Sequence, residues 1–153
     1  QTIIAEKLAE LGIQLLLEAS VKDLRAMASG ESIADEYSGR GGRIDIAVYY
    51  QSKMPRFLIE IKKITDGNSL AQDHKRIVEM LHDCPTIQNG LMIGYTTAAK
   101  ADTVRSRLEA IRTQTNSRIV RRLPMQSVKG KRGQNRILGA AVYRVDRNAR
   151  LST

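Results

Sequence analysis

Apolar residues first recur at near-helical spacing and then switch to strand-like alternation. Ile4, Leu8 and Leu11, followed by Leu15, Leu17, Val21, Leu24 and Met27, predict a helix-rich stretch over residues 3–29, with Gly12 as an interruption or kink. Residues 31–37 read as a short first strand around Ile33, and the glycines of Ser38-Gly39-Arg40-Gly41-Gly42 mark a tight turn. Residues 43–50 alternate with period two, which puts Ile44, Ile46 and Val48 on one face and Asp45 on the other. A second run, residues 57–64, sets Phe57, Ile59 and Ile61 against Glu60 and Lys62. The segment ending in Pro55 joins these runs as a hairpin connection, because proline cannot donate to a ladder. Asn68 or Ser69 caps a helix over residues 70–81, with Leu70, Ile77 and Leu81 inward and Asp73 in its first turn; Pro85 closes that segment. Residues 90–95 form a buried strand, residues 98–112 a third helix, and residues 118–123 and 136–145 two further strands.

Charge changes the meaning of this order at two positions. If residues 51–54 form the loop, Asp45 falls directly opposite Glu60, with Cβ atoms roughly 5 Å apart. Two carboxylates that close repel, and the cheapest cures are a proton on one or a cation between them. Oxygen ligands without cysteine or histidine nearby point to Mg2+ or Mn2+ rather than zinc. Lys62 shares the face and is placed to orient a water or offset phosphate charge. A Glu-x-Lys pattern alone is commonplace and describes the solvated face of many antiparallel strands. Here Phe57-Leu58-Ile59 precedes it and Ile61 and Ile64 surround it, as in a strand buried on both faces, where charge is costly.

Asp45, a fourteen-residue gap and Glu60-Ile61-Lys62 resemble the PD-(D/E)xK nuclease superfamily, the restriction-endonuclease-like fold, with Ile44 where the name-giving proline would stand. The resemblance spans about residues 13–96. It implies an α/β fold with an αβββαβ core, a mixed central sheet flanked by helices, Mg2+ dependence and hydrolysis of nucleic-acid phosphodiesters. On that resemblance Asp45 and Glu60 are metal ligands and Lys62 positions the attacking water. Members often add a glutamate from the first helix; of Glu6, Glu10 and Glu18 the favoured one is Glu18, which leads the helix running into the first strand. Glu36, at the end of that strand, is within reach of the same pocket. Gln72 matches a helical position where relatives carry a polar residue contacting the site or the substrate backbone.

The distribution of charge adds a partner. Residues 1–117 carry fifteen basic and fifteen acidic side chains, whereas residues 118–153 carry ten basic and one acid, Asp146, so the net charge of +9 lies wholly in the last part. That polarity suits a polyanion. Lys129 to Asn135, a glycine-containing loop between two strands, reads as the tip of a basic β-hairpin appended to the core, with Arg121, Arg122, Lys129, Lys131, Arg132 and Arg136 as nucleic-acid-binding candidates. A solubilising tail or a surface for an acidic protein is the plainer alternative. One Phe, five Tyr and no Trp argue against a stacking platform for single strands.

Composition sets bounds. The 153 residues, 42% hydrophobic, suit one domain: residues 1–12 a helical lead-in, 13–117 the core and 118–153 the basic extension. Cys84 is alone, so no disulfide framework is expected and a reducing cytoplasm is the default. No apolar stretch approaches the ~20 residues of a membrane span, and His74 and His82 read as surface residues rather than zinc ligands. Gln1 is not an initiator methionine, and the chain reads as a piece of a longer protein with a further domain. The expectation is a Mg2+-dependent endonuclease (Mn2+ as substitute) for duplex DNA, of restriction or repair type, dimeric if both strands are cut. The alternatives are a non-catalytic nucleic-acid-binding module that needs a partner domain, and a basic RNA-associated protein in which Asp45 and Glu60 are structural.

Overall fold

The computed structural model of the chain describes residues 2–30, 42–49, 54–65 and 68–147. In chain order the elements are α1 (Thr2–Glu10), β1 (Gln14–Ser20), α2 (Val21–Ser29), β2 (Arg43–Tyr49), β3 (Pro55–Lys63), α3 (Asn68–Asp83), β4 (Asn89–Ala98), α4 (Ala101–Thr115), β5 (Arg118–Arg122), β6 (Gln126–Lys129) and β7 (Asn135–Val145). The seven strands form one mixed sheet in the order β1-β2-β3-β4-β7-β5, with β6 alongside β7. β3 and β4 run parallel, and the other paired strands are antiparallel. A parallel pair needs a crossover, and α3 supplies it. The α/β class and the mixed sheet with flanking helices are therefore as the sequence predicts.

Leu70, Ile77 and Leu81 of α3 and Val104, Leu108 and Ile111 of α4 meet Leu58, Met92, Ala141, Tyr143 and Val145 in one continuous core. The Tyr143 hydroxyl, fully buried, donates to the Leu108 carbonyl at 2.7 Å and so finds the partner a buried phenol requires. The helices approach the sheet most closely at Gly90, where a Cβ would overlap Ile77 Cγ2, and at Gly139, where it would overlap Val104.

Three expectations change. The stretch read as helix over residues 3–29 is interrupted by a strand. Gly12, at φ 74°, ends α1 with its N–H on the Ala9 carbonyl (2.8 Å), and Gln14–Ser20 then pairs antiparallel with β2. Leucines at 15 and 17 satisfy either element locally; a ladder to a strand almost thirty positions away decides, and local spacing does not show it. The last strand is not an appendage, because β7 runs along the whole of β4, from Gly90↔Val145 to Ala98↔Ile137, and contributes Ala141, Tyr143 and Val145 to the core. A short strand unforeseen in the sequence, β6, completes a hairpin with the start of β7. The first strand expected at residues 31–37, Glu36 with it, and the turn at 38–41 lie outside the described residues. Elsewhere the predicted elements are found with shifted ends: α3 begins at Asn68, β4 extends to Ala98, α4 accordingly runs over Ala101–Thr115, and β5 stops at Arg122.

Gly90→Ala is expected to cost about 1–3 kcal/mol by overpacking against Ile77, read as a lower urea midpoint at unchanged slope. An unchanged midpoint would contradict the close approach of α3 to β4.

Candidate active site

β2 and β3 pair through Ile46↔Ile59, Ala47↔Leu58 and Val48↔Phe57, with a bulge between Val48 and Tyr49. The bulge falls beyond the pairs that matter, so the next step along the ladder brings Asp45 level with Glu60. There the carboxylates take over the bonding. Asp45 Oδ2 accepts from the Ile61 N–H at 2.6 Å, and Glu60 Oε2 accepts from the Asp45 N–H at 3.3 Å. Each acid is thus fixed by the backbone of the other's strand.

Leu58, Glu60 and Lys62 lie beside Gly90, Met92 and Gly94 of β4 on the face that carries α3. That helix closes the site from above. Lys62 Nζ sits 2.7 Å from Asp73 Oδ2, and Arg76, one turn along, bonds the other Asp73 oxygen while its Nη1 lies 3.8 Å from Glu60 Oε1. The same guanidinium donates to the Arg43 carbonyl and passes over Gly42, at φ 79°, where a Cβ would stand 3.2 Å from Arg76 Nε. Asp73 is buried, and its two oxygens are held by Lys62 and Arg76.

Glu60 thus shares a mostly buried place with two further carboxylates, Asp45 and Asp73, and with Arg76 and Lys62. Burial, then the charges of Asp45 and Asp73, push the Glu60 carboxyl up to about 7, while the Asp45 amide and Arg76 pull the other way. Glu60 is 6% exposed, so the penalty has a visible source.

Among the sequence-predicted residues, Asp45, Glu60 and Lys62 are brought together. Gln72 is exposed, and its neighbour Asp73 turns inward instead. The spacing carries that signal: Asp73 lies three residues after Leu70 and four before Ile77, on the stripe that faces the sheet, and Gln72 is off it. Arg76 belongs to the same stripe. Glu18 is not helical, as expected from the sequence, but stands in β1, exposed, at φ 51°, where the β1–β2 register brings it level with Asp45. Helical Glu6 and Glu10 are exposed. His74, expected at the surface, is buried, and burial lowers its pKa; His82 is exposed. Of the basic candidates, Arg121, Lys129, Lys131 and Arg132 are exposed without an acidic partner among the described residues. Arg122 is committed to Glu109 of α4, and half-buried Arg136 donates to the Thr97 carbonyl at 3.4 Å.

Among the described residues no group of three or more His, Cys, Asp or Glu is gathered closely enough to hold a metal ion, and no helix is long and apolar enough to cross a membrane. Two carboxylates are nevertheless what a Mg2+ ion, which keeps waters and takes substrate phosphate oxygens, asks of a protein. The like charges of Asp45 and Asp73 around the Glu60 carboxyl fit a cation beside Asp45 and Glu60. No protein-family model, curated protein or solved structure matches the chain.

Because the folded-state pKa of Glu60 is raised from 4.5 to about 7, the folded protein keeps a proton that the unfolded chain has released. This contribution to stability is whole below the unfolded pKa and is lost as pH rises through about 7. Denaturant titrations without metal should show wild type losing stability across that window relative to Glu60→Gln, and Asp45→Asn, which removes the nearer like charge, should shrink the loss. Parallel profiles for wild type and Glu60→Gln would contradict the assigned electrostatics.

Proposed function

We propose that the chain is a Mg2+-dependent endonuclease acting on duplex DNA, of the PD-(D/E)xK kind that Asp45 and Glu60-Ile61-Lys62 resemble. The observation that carries the reading is the meeting of Asp45 and Glu60 across β2 and β3, with Lys62 two residues beyond Glu60 on the same strand face. The antiparallel run β1-β2-β3, then α3 and parallel β4, supports it, since it accommodates an αβββαβ core with α1 in front and α2 inserted between β1 and β2.

On this reading Asp45 and Glu60 hold the cation, and backbone amides on the paired strands keep their carboxylates aimed. A bound divalent ion supplies Lewis acidity toward a phosphate oxygen and an acidified water. Lys62 Nζ would orient the attacking water or donate to a non-bridging phosphate oxygen, and Asp73 holds the ammonium in place until substrate arrives. Asp73 is then a positioning residue, and Arg76 joins it to Glu60. Arg121 and the β6–β7 hairpin supply phosphate contacts that do not depend on sequence.

The test is incubation of wild type and Lys62→Ala with plasmid, linear duplex, branched and single-stranded DNA and RNA, in Mg2+, Mn2+ or chelator. Duplex cleavage that needs metal and falls on the order of 100-fold or more in the variant is expected. Duplex binding without cleavage in any metal would favour the non-catalytic module, and preference for RNA with indifference to metal would favour a structural role for the acids.

A further inference from the structure

The acid cluster and the β6–β7 hairpin tip lie toward the same end of the sheet. β3 and β4 both run toward it, and the tip projects past Ala98, the last residue of β4. Glu60 is level with Met92, and Ala98 is level with Ile137, two residues short of Asn135, which pairs with Lys129. Eight residues of rise at ~3.3 Å and three strand spacings of ~4.8 Å put Lys129 on the order of 30 Å from Glu60.

Positive charge marks the path between them. Arg107 from α4 and Arg136 from β7 converge on the Thr97 carbonyl, at 3.1 and 3.4 Å, near the end of β4. At the tip the turn is closed by the Gly130 N–H on the Gln134 carbonyl (2.8 Å) and the Gly133 N–H on the Gly130 carbonyl (2.9 Å). Gln134 Oε1 also accepts from the Arg132 N–H at 3.1 Å. Lys129, Lys131 and Arg132 are therefore exposed on a built turn rather than on a loose loop.

We propose that this tip is a second phosphate anchor, gripping the backbone of duplex DNA nearly one helical turn from the phosphate at the acid cluster. The inference rests on the nuclease reading for the nature of the ligand. At 3.4 Å per base pair the separation corresponds to about nine base pairs, so the tip sets a minimum duplex length. Shorter duplexes reach one set of charges, and longer ones reach both.

Binding in chelator tests this without any cleavage. Fluorescence anisotropy on duplexes of about 6 to 20 base pairs should show wild-type affinity stepping up near nine to ten base pairs. The step should vanish in the triple variant Lys129→Ala, Lys131→Ala, Arg132→Ala. On a long duplex the variant should lose a salt slope of up to ~3, so that wild type weakens ~40-fold more than the variant between ~50 and ~200 mM salt. A smooth length dependence in wild type, or an unchanged slope in the variant, overturns the anchor. Metal-dependent cleavage that persists with no length step sinks the anchor alone; a length step with no cleavage sinks the nuclease reading alone.

Discussion

Two carboxylates pressed together where water is largely excluded set the terms for the rest of the molecule. Asp45 and Glu60 meet because the β2–β3 register runs to Ile46↔Ile59, one step short of them, and because each acid then bonds the other strand's backbone. Such a pair repels in proportion to its burial, and the surroundings answer with Arg76 near Glu60 and a proton affinity near neutrality on Glu60 itself. Asp73 deepens the problem and helps to solve it, adding a third negative charge while holding both Lys62 and Arg76 over the acids. The result is a buried carboxyl, Glu60, with two like charges close by, a condition that a divalent ion or a proton relieves.

Topology makes this arrangement possible. Because β3 and β4 are parallel, α3 must start where β3 ends, which brings Asp73, in its second turn, and Arg76, one turn further on, over the far end of β3. Open α/β sheets bind ligands beyond the carboxyl ends of their parallel strands for the same geometric reason. β7 then extends the sheet past β4 at that end and carries the β6 hairpin with it, so the basic part of the chain is built into the sheet that holds the acids. A neutral first part and a basic last part, separate in sequence, thus share one sheet, which carries both the acid cluster and the exposed lysines of the hairpin tip.

Much of the site was legible in the sequence because its parts are local. Acids within apolar runs and a Glu-x-Lys alternation define the sheet face, and the β2–β3 register brings Asp45 level with Glu60. Asp73 is legible too, since it sits on the same stripe as Leu70 and Ile77, whereas the resemblance points to Gln72 and the periodicity does not. What local pattern could not supply was pairing. Leu15 and Leu17 fit a helix and a strand equally well, and their choice of β2 is non-local. Residues 136–145 read correctly as a strand, but nothing in them states that β4 is their neighbour, which is why an integral strand looked like an appendage. Arg122 and Arg136 likewise look like free cations in a list of charges and prove occupied once Glu109 and the Thr97 carbonyl are in place.

The central claim is that Asp45 and Glu60 form a seat for a divalent ion. Anomalous diffraction from crystals of the protein grown with Mn2+ and a duplex tests it most directly. The account predicts one peak ~2.1 Å from oxygens of both carboxylates, with Lys62 turned toward a phosphate. Density showing bound duplex with no peak between the two acids would contradict it.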